Sequence, residues 1–190
     1  AQGGELRYPS PQLPRKGNAS LSQGAAAGVR DDKTKQHRAG GVGLLRDLAG
    51  DDSYTAGVFA QGAGYWFAAG YLLDDAGKDQ YDALWYGQGA AAHFALGLLR
   101  DGGGGDRYNQ RMKPVSSSLG LGHDLAAGWH IDLGGDDQYT APPLSLGQGS
   151  GEGAGIMYNH GGQDTYSGPN PSAGDGASWG DARGIRLGAQ

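Results

Sequence analysis

The chain has 190 residues, the size of one domain, and 39 of them are Gly, about three times the ordinary share. Each interior Gly costs a helix about 1 kcal/mol against Ala, so long stable helices are excluded. A net charge of −5 disfavours a nucleic-acid partner, and the lack of Cys excludes disulfides and thiolate metal sites. No apolar stretch approaches the length of a transmembrane segment.

The first 20 residues contain Pro9, Pro11 and Pro14, which predict an extended arm. Residues 21–190 are expected to form one repeat domain. The chain starts with Ala1 rather than Met, so either the sequence is trimmed or an export signal was removed behind a small residue. We favour the second and expect bacterial export to the cell surface or the extracellular space.

One pattern then recurs five times: Asp, two residues, Gly, one residue, Asp, one residue, Tyr. The copies begin at Asp47, Asp74, Asp101, Asp132 and, with an amide in place of the acid, Asn159. Successive copies are separated by 27, 27, 31 and 27 residues. Because four positions of the pattern recur with the same spacing, the sequence is a tandem repeat. The units of such a repeat bury a common core only when they stack.

A second element, Gln-Gly, follows each Tyr at Gln61-Gly62, Gln88-Gly89 and Gln148-Gly149, with Leu119-Gly120 in the third copy and a partial copy at Gln23-Gly24. The four extra residues of the one long step lie within residues 109–118, which predicts a surface loop. A charged insertion occupies residues 31–38.

A unit of 27 residues with Gly at fixed places is too short and too Gly-rich for a helix pair and lacks the Leu pattern of a leucine-rich repeat. The pattern predicts an all-β fold, a right-handed parallel β-solenoid of about five coils near residues 43–69, 70–96, 97–127, 128–154 and 155–187, with Gly at positive-φ corners. Aligned Tyr and Gln side chains are expected to form ladders at about 4.8 Å spacing. Asp52 and Tyr54 should face inward, because the residue between them varies from copy to copy; the direction of Asp47 stays open.

These Gly-Asp-Asp-x-Tyr and Gln-Gly elements, as at Gly50–Tyr54 and Gln61-Gly62, resemble a class of bacterial tandem-repeat proteins. The resemblance covers about residues 40–187 and implies a β-solenoid at the envelope or outside the cell, with no assigned reaction. A looser likeness, at Gly134–Asp137 and Gly161–Asp164, is to the calcium-binding Gly-Asp nonapeptide repeats of secreted toxins and proteases, although these recur every nine residues rather than every 27.

The aligned acids are the strongest candidate site, because stacked carboxylates repel one another and need relief. The relief is either hydrogen bonding in tight turns or Ca²⁺, a cation that carboxylates and carbonyls bind. The candidate ligands are Asp47, Asp52, Asp74, Asp79, Asp101, Asp106, Asp132, Asp137 and Asp164.

Two further sets of side chains are weaker candidates. The Tyr ladder is expected to serve packing, whereas Trp66, Trp85, Tyr86 and Trp129 are candidates for stacking on a glycan. Trp66, His93 and Asp124 share one repeat position, so a His93–Asp124 contact between coils, with Arg100 as a nearby cation, is the one arrangement that could catalyse polysaccharide cleavage.

Three functions follow as expectations. The first is a non-enzymatic extracellular structural protein that self-associates through its solenoid ends or its N-terminal arm into a homo-oligomer or filament. The second is a carbohydrate-binding or polysaccharide-cleaving β-helix. The third is a calcium-dependent secreted module.

Overall fold

The computed structural model describes residues 21–168 and the backbone of residues 183–189. The predicted arm at residues 1–20 lies outside the described residues, as does part of the last coil. The described residues are all strand, turn and loop, so they include no helix long and apolar enough to cross a membrane.

The chain is a parallel β-solenoid of about five coils, and each complete coil adds one strand to each of three sheets. The first sheet holds five two-residue strands: β1 (Ala26–Ala27), β4 (Gly64–Tyr65), β7 (Ala91–Ala92), β10 (Gly122–His123) and β13 (Gly149–Ser150). The second holds β2 (Val42–Asp47), β5 (Ala69–Asp74), β8 (Leu96–Asp101), β11 (Ala127–Asp132), β14 (Ala154–His160) and β16 (Arg183–Ala189). The third holds β3 (Ser53–Val58), β6 (Gln80–Trp85), β9 (Arg107–Tyr108), β12 (Gln138–Thr140) and β15 (Thr165–Ser167).

The register confirms the predicted repeat. Tyr54, Tyr81 and Tyr108 pair in the third sheet, and Gly43, Gly70 and Gly97 pair in the second. The tyrosine rings stack with centroids 4.6–5.0 Å apart and planes within 8° of parallel. They pack against Leu72, Leu99 and Met157 of the second sheet, all fully buried, so the core lies between these two sheets.

The assignment of Gln148-Gly149 to the Gln-Gly series was wrong by two residues. The first sheet pairs Gly122 with Gly149, which places Leu146-Gly147 beneath Leu119-Gly120. Both residues of each such corner have positive φ, for example 54° at Gln61 and 76° at Gly62, and 53° at Leu146 and 71° at Gly147. The backbone conformation, rather than the Gln side chain, therefore defines this corner.

The glutamines also do not bond one another in a ladder. Gln61 donates its amide to the carbonyls of Tyr54 and Asp82, each at 3.0 Å, and so ties the corner to the third sheet. Gln88 repeats the bond to Tyr81 and pairs with Asn109.

The Gly50 series is required for close packing at least as much as for positive φ. Gly77 and Gly104 do not have positive φ, yet a Cβ at Gly104 would lie 1.6 Å from the Gly77 carbonyl oxygen. Each coil therefore rests on the bare backbone of the coil before it.

Candidate functional site

Two rows of acidic side chains run through the interior, one from the end of each second-sheet strand and one from the turn before each third-sheet strand. The first acid row is Asp47, Asp74, Asp101 and Asp132, ending in Asn159. The second acid row is Asp52, Asp79, Asp106, Asp137 and Asp164. Both rows point inward, which confirms the direction predicted for the second row and settles the open question for the first.

The middle members of both rows are almost fully buried and are called the acid column below: Asp74, Asp79, Asp101, Asp106, Asp132 and Asp137, each at most 2% exposed. Within the described residues no lysine or arginine forms an ion pair with any of them. Six carboxyl groups thus share a dry interior without a cationic partner, which is the least favourable setting for ionised acids.

The first row accepts hydrogen bonds from hydroxyl and backbone donors, although the buried Asp74 Oδ1 has no partner among the described residues. Tyr hydroxyls of the preceding coil donate to the Oδ2 atoms of this row: Tyr54 to Asp74 at 2.7 Å, Tyr81 to Asp101 at 2.6 Å and Tyr108 to Asp132 at 2.8 Å. The Oδ1 atoms of Asp101 and Asp132 accept the backbone N–H two residues later, at 2.7 and 3.0 Å. The two backbone bonds form Asx turns after Asp101 and Asp132. Burial raises the pKa of Asp101 overall, although the bonds from Tyr81 and Gly103 act in the opposite direction.

The second row is only half satisfied. The backbone N–H of each acid donates to the Oδ1 of its neighbour in the next coil, as from Asp79 to Asp106 at 2.7 Å and from Asp106 to Asp137 at 2.8 Å. The Oδ2 atoms of Asp79, Asp106 and Asp137 are buried and have no hydrogen-bond partner among the described residues. Each therefore needs a proton or a cation.

Burial is the main cause of the pKa shifts in this row, with repulsion from neighbouring carboxylates added to it. The pKa of Asp79 rises to about 7, that of Asp106 to about 9 and that of Asp137 to about 8. At neutral pH and without a cation, Asp106 and Asp137 are thus largely protonated and Asp79 is about half protonated.

In the last coil an Asn side chain supplies the hydrogen-bond donor that the earlier coils lack between the two rows. Asn159 Nδ2 donates to Asp164 Oδ2 and to the Tyr166 hydroxyl, both at 2.8 Å. In the earlier coils two carboxyl groups, one from each row, face each other at this position. In the last coil an amide N–H group of Asn159 takes the place of one of them. The replacement of Asp by Asn ends the charged part of the column.

The buried Asp clusters could hold a metal ion. Two triads, Asp74–Asp79–Asp101 and Asp101–Asp106–Asp132, each place one carboxylate oxygen per residue within 4.8 Å of the others and share Asp101. All ligands are oxygens, which suits a hard cation, and the unpartnered Oδ2 atoms of Asp79 and Asp106 fit such an ion.

The other predicted ligands are placed differently. Asp137 is buried but belongs to neither triad. Asp47, Asp52 and Asp164 are half-buried at the two ends of the rows and lie outside the triads.

The predicted contact between His93 and Asp124 is present, but it leaves no free nitrogen for proton transfer. His93 Nδ1 bonds the Asp124 carboxylate, and Nε2 lies 3.2 Å from Arg30 Nη1. Because arginine can only donate, Nε2 accepts and Nδ1 donates, so both nitrogens are engaged. Arg100 lies elsewhere, paired with Asp75 at 2.9 Å, so the cation beside His93 is Arg30.

The rings predicted to be exposed for glycan stacking are in fact half-buried. Trp66 packs beneath Arg30, whose guanidinium lies 5.1 Å from the ring centroid. Trp85 and Tyr86 pack against a cluster that includes Val58 and Phe59. Trp129 is half-buried on the outer side of the second sheet.

Sequence reasoning missed four features. Phe67 and Phe94 are the exposed stacked rings, 47% and 48% exposed with centroids 4.9 Å apart. Asp82 anchors the insertion at residues 109–118 by accepting the backbone N–H of Arg111 at 2.9 Å. His130 is fully buried at a position that is Leu in three other coils, with neither ring nitrogen hydrogen-bonded in the described structure. Only His130 carried a sequence signal, because it interrupts the Leu series.

The fourth missed feature is a Ser–His contact between coils. Ser150 Oγ lies 2.7 Å from His123 Nδ1, but Ser150 is 3% exposed. A substrate carbonyl cannot reach a hydroxyl buried in a sheet, so this pair serves packing rather than nucleophilic attack.

No family model matches the chain, and neither the curated proteins nor the solved structures contain a match to it.

Proposed function

We propose that this chain is a non-enzymatic structural protein of the cell surface or extracellular space whose solenoids associate end to end. The observation that carries the proposal is that core residues of the first and last described coils are less buried than their counterparts in the middle coils. Leu45 is only partly buried, whereas its counterparts Leu72 and Leu99 are 0% exposed. At the other end Tyr166 is partly buried, whereas Tyr139 is fully buried.

The second sheet supports the same proposal. Strand β2 is its edge, pairs only with β5 among the described strands, and exposes Val42 and Leu44 by 74% and 64%. A long apolar edge strand invites pairing with another strand. Strand β16 forms the opposite edge, where Gly184 pairs with Gly155 and so continues the column of paired glycines that starts at Gly43. If β2 of a second copy paired with β16, the sheet would therefore continue in the same register. Such a head-to-tail contact repeats without closing and builds a filament.

The chemistry of the described clusters favours this role over catalysis. The His93 nitrogens are both engaged, and Ser150 is buried. The regular coils instead provide a rigid rod. The resemblance to bacterial tandem-repeat proteins of the envelope or cell exterior supports the proposed location.

The test is Leu45→Lys, which places a charge in the open end of the core without touching the outer surface of the second sheet. Sedimentation velocity over a micromolar concentration series should show growing assemblies for the wild type and small species for the variant. Leu133→Lys is the control, because Leu133 is exposed and lies in the middle of the stack. Equal assembly of wild type and Leu45→Lys, with unchanged circular dichroism, would contradict end-to-end association.

We further propose Ca²⁺ as the cation of the acid column, supported by the two all-oxygen triads that share Asp101. Ca²⁺ would replace the protons that the carboxyl groups otherwise hold. Binding would therefore release protons and stabilise the folded state. Calorimetric titration of chelator-treated protein should give Ca²⁺ binding that Asp101→Asn removes from both triads and that Asp136→Asn, at an exposed acid, retains. Identical titrations for all three proteins would reject the site.

A further inference from the structure

The outer surface of the second sheet is almost entirely apolar. The side chains that point away from the core form three columns along β2, β5, β8, β11 and β14. The columns are Val42, Ala69, Leu96, Ala127, Ala154; Leu44, Tyr71, Leu98, Trp129, Ile156; and Arg46, Leu73, Arg100, Ile131, Tyr158. We call these fifteen side chains the outer face.

The outer face extends onto the neighbouring corner. Phe67, Phe94 and Leu125, each 47–48% exposed, occupy one repeat position beside its first column. A shallow groove between Phe94, Leu125 and Ala127 connects the corner to the sheet. The apolar surface therefore continues over the corner as far as Leu125. In the next coil the exposed Glu152 occupies this position and also lines the groove.

The only charged side chains of the outer face already have a partner. Arg46 and Arg100 both bond the Asp75 carboxylate, at 2.6 and 2.9 Å. Over these fifteen side chains a partner therefore needs neither acidic nor basic groups, and the exposed Glu152 lies at the edge of the face. The partner needs apolar area of the same shape.

The size of the face fits a pair of copies. Five strands about 4.8 Å apart and six residues long give a flat patch of about 500 Å², at the upper end of the largest patches on monomeric proteins. Two such patches placed together would bury about 1,000 Å², the lower limit for a specific interface, and the apolar corner adds to this area. Flat sheets pack face to face at about 10 Å with interdigitated side chains.

We infer that two copies of this chain pair through their outer faces. The contact is isologous and therefore closes at two copies, unlike end-to-end stacking, which stays open. It goes beyond the proposed function because it adds a lateral interface: in a filament it would join two rods side by side. Leu98 and Trp129, in the middle column of the two central strands, lie at its centre.

The test is Leu98→Lys, measured in the Leu45→Lys background so that end stacking does not contribute. Sedimentation equilibrium should give twice the chain mass for Leu45→Lys alone and the single-chain mass once Leu98→Lys is added. Gln138→Lys is the matched control, because Gln138 is exposed on the third sheet. It should leave the dimer intact, and circular dichroism should be unchanged in all variants.

A second measurement stays informative if Leu98→Lys fails to fold. The chain has no Cys, so Leu98→Cys should give a disulfide-linked dimer on mild oxidation and Gln138→Cys should not. Three results would overturn the inference: a monomer up to hundreds of micromolar, a dimer that survives Leu98→Lys, or a monomer that becomes a dimer on removal of residues 1–20. The last would show that the arm of the same chain covers the face.

Discussion

Replacement of Asp106 by Asn tests the physical account of the acid column most sharply. Asp106 Oδ1 accepts the Asp79 backbone N–H at 2.7 Å, and its Oδ2 is buried without a partner among the described residues. Asn keeps the accepting oxygen and places a neutral N–H group where the acid must hold a proton. The substitution mirrors the last coil, in which the first-row Asn159 donates to the second-row Asp164 at 2.8 Å.

The expected gain follows from the shift in the pKa of Asp106, which burial and neighbouring carboxylates raise from 3.8 to about 9. A raised pKa means that the folded state holds its proton while the unfolded state releases it. Stability is therefore fully present below about pH 4 and is lost as pH rises towards 9. About three pH units separate 3.8 from pH 7, each worth about 1.4 kcal/mol. Asn avoids this loss and should stabilise the apo protein at pH 7 by up to about 4 kcal/mol.

The assay is urea unfolding of wild type and Asp106→Asn in EDTA at pH 4 and pH 7, with Asp136→Asn as an exposed control. We expect a gain of a few kcal/mol at pH 7 and almost none at pH 4. In saturating Ca²⁺ the order should reverse, because the variant loses a carboxylate ligand. A loss of stability at pH 7 in EDTA, or an equal effect at both pH values, would refute the reasoning.

Three other substitutions probe the core. Gly104→Ala should prevent folding or reduce the free energy of unfolding by more than about 3 kcal/mol, because the added Cβ would lie 1.6 Å from a carbonyl oxygen. Gly41→Ala should be neutral, because no atom lies within 4 Å of the added Cβ. Equal melting temperatures for the two variants would refute this prediction. His130→Leu should stabilise by about 1–3 kcal/mol at pH 7, because its buried ring nitrogens lack hydrogen-bond partners in the described structure. The gain should grow below about pH 6.5, because burial lowers the pKa of His130 to about 4 and the unfolded state then takes up the proton. A destabilised variant in urea unfolding would contradict this. Tyr81→Phe should cost about 1–3 kcal/mol, because it removes the 2.6 Å bond to Asp101; wild-type stability in the same assay would mean that this bond contributes little.

The repeat made the coil register predictable, because residues that recur in step must stack in a solenoid. It also predicted the inward acids, since the residue between Asp52 and Tyr54 varies. The same reliance on residue identity misplaced Gln148-Gly149. The corner requires two residues with positive φ, and Leu146-Gly147 supplies them without a Gln.

Other parts of the site depend on contacts that no local pattern encodes. Arg30 reaches Trp66 and His93 only because the charged insertion folds back, with Val29 pairing against Arg38. The outer face alternates with inward residues in every second-sheet strand, but its apolar character resembles that of a strand buried on both sides. A sequence pattern cannot distinguish a strand that is buried on both sides from one that exposes an apolar face. The three-dimensional structure was therefore needed to identify the outer face as a surface.

Electron microscopy of the purified protein at micromolar concentration tests end-to-end association most directly. We predict filaments one or two solenoids wide for the wild type and for Leu133→Lys, and short particles for Leu45→Lys. Discrete particles of wild-type protein at every concentration, with and without Ca²⁺, would contradict the account.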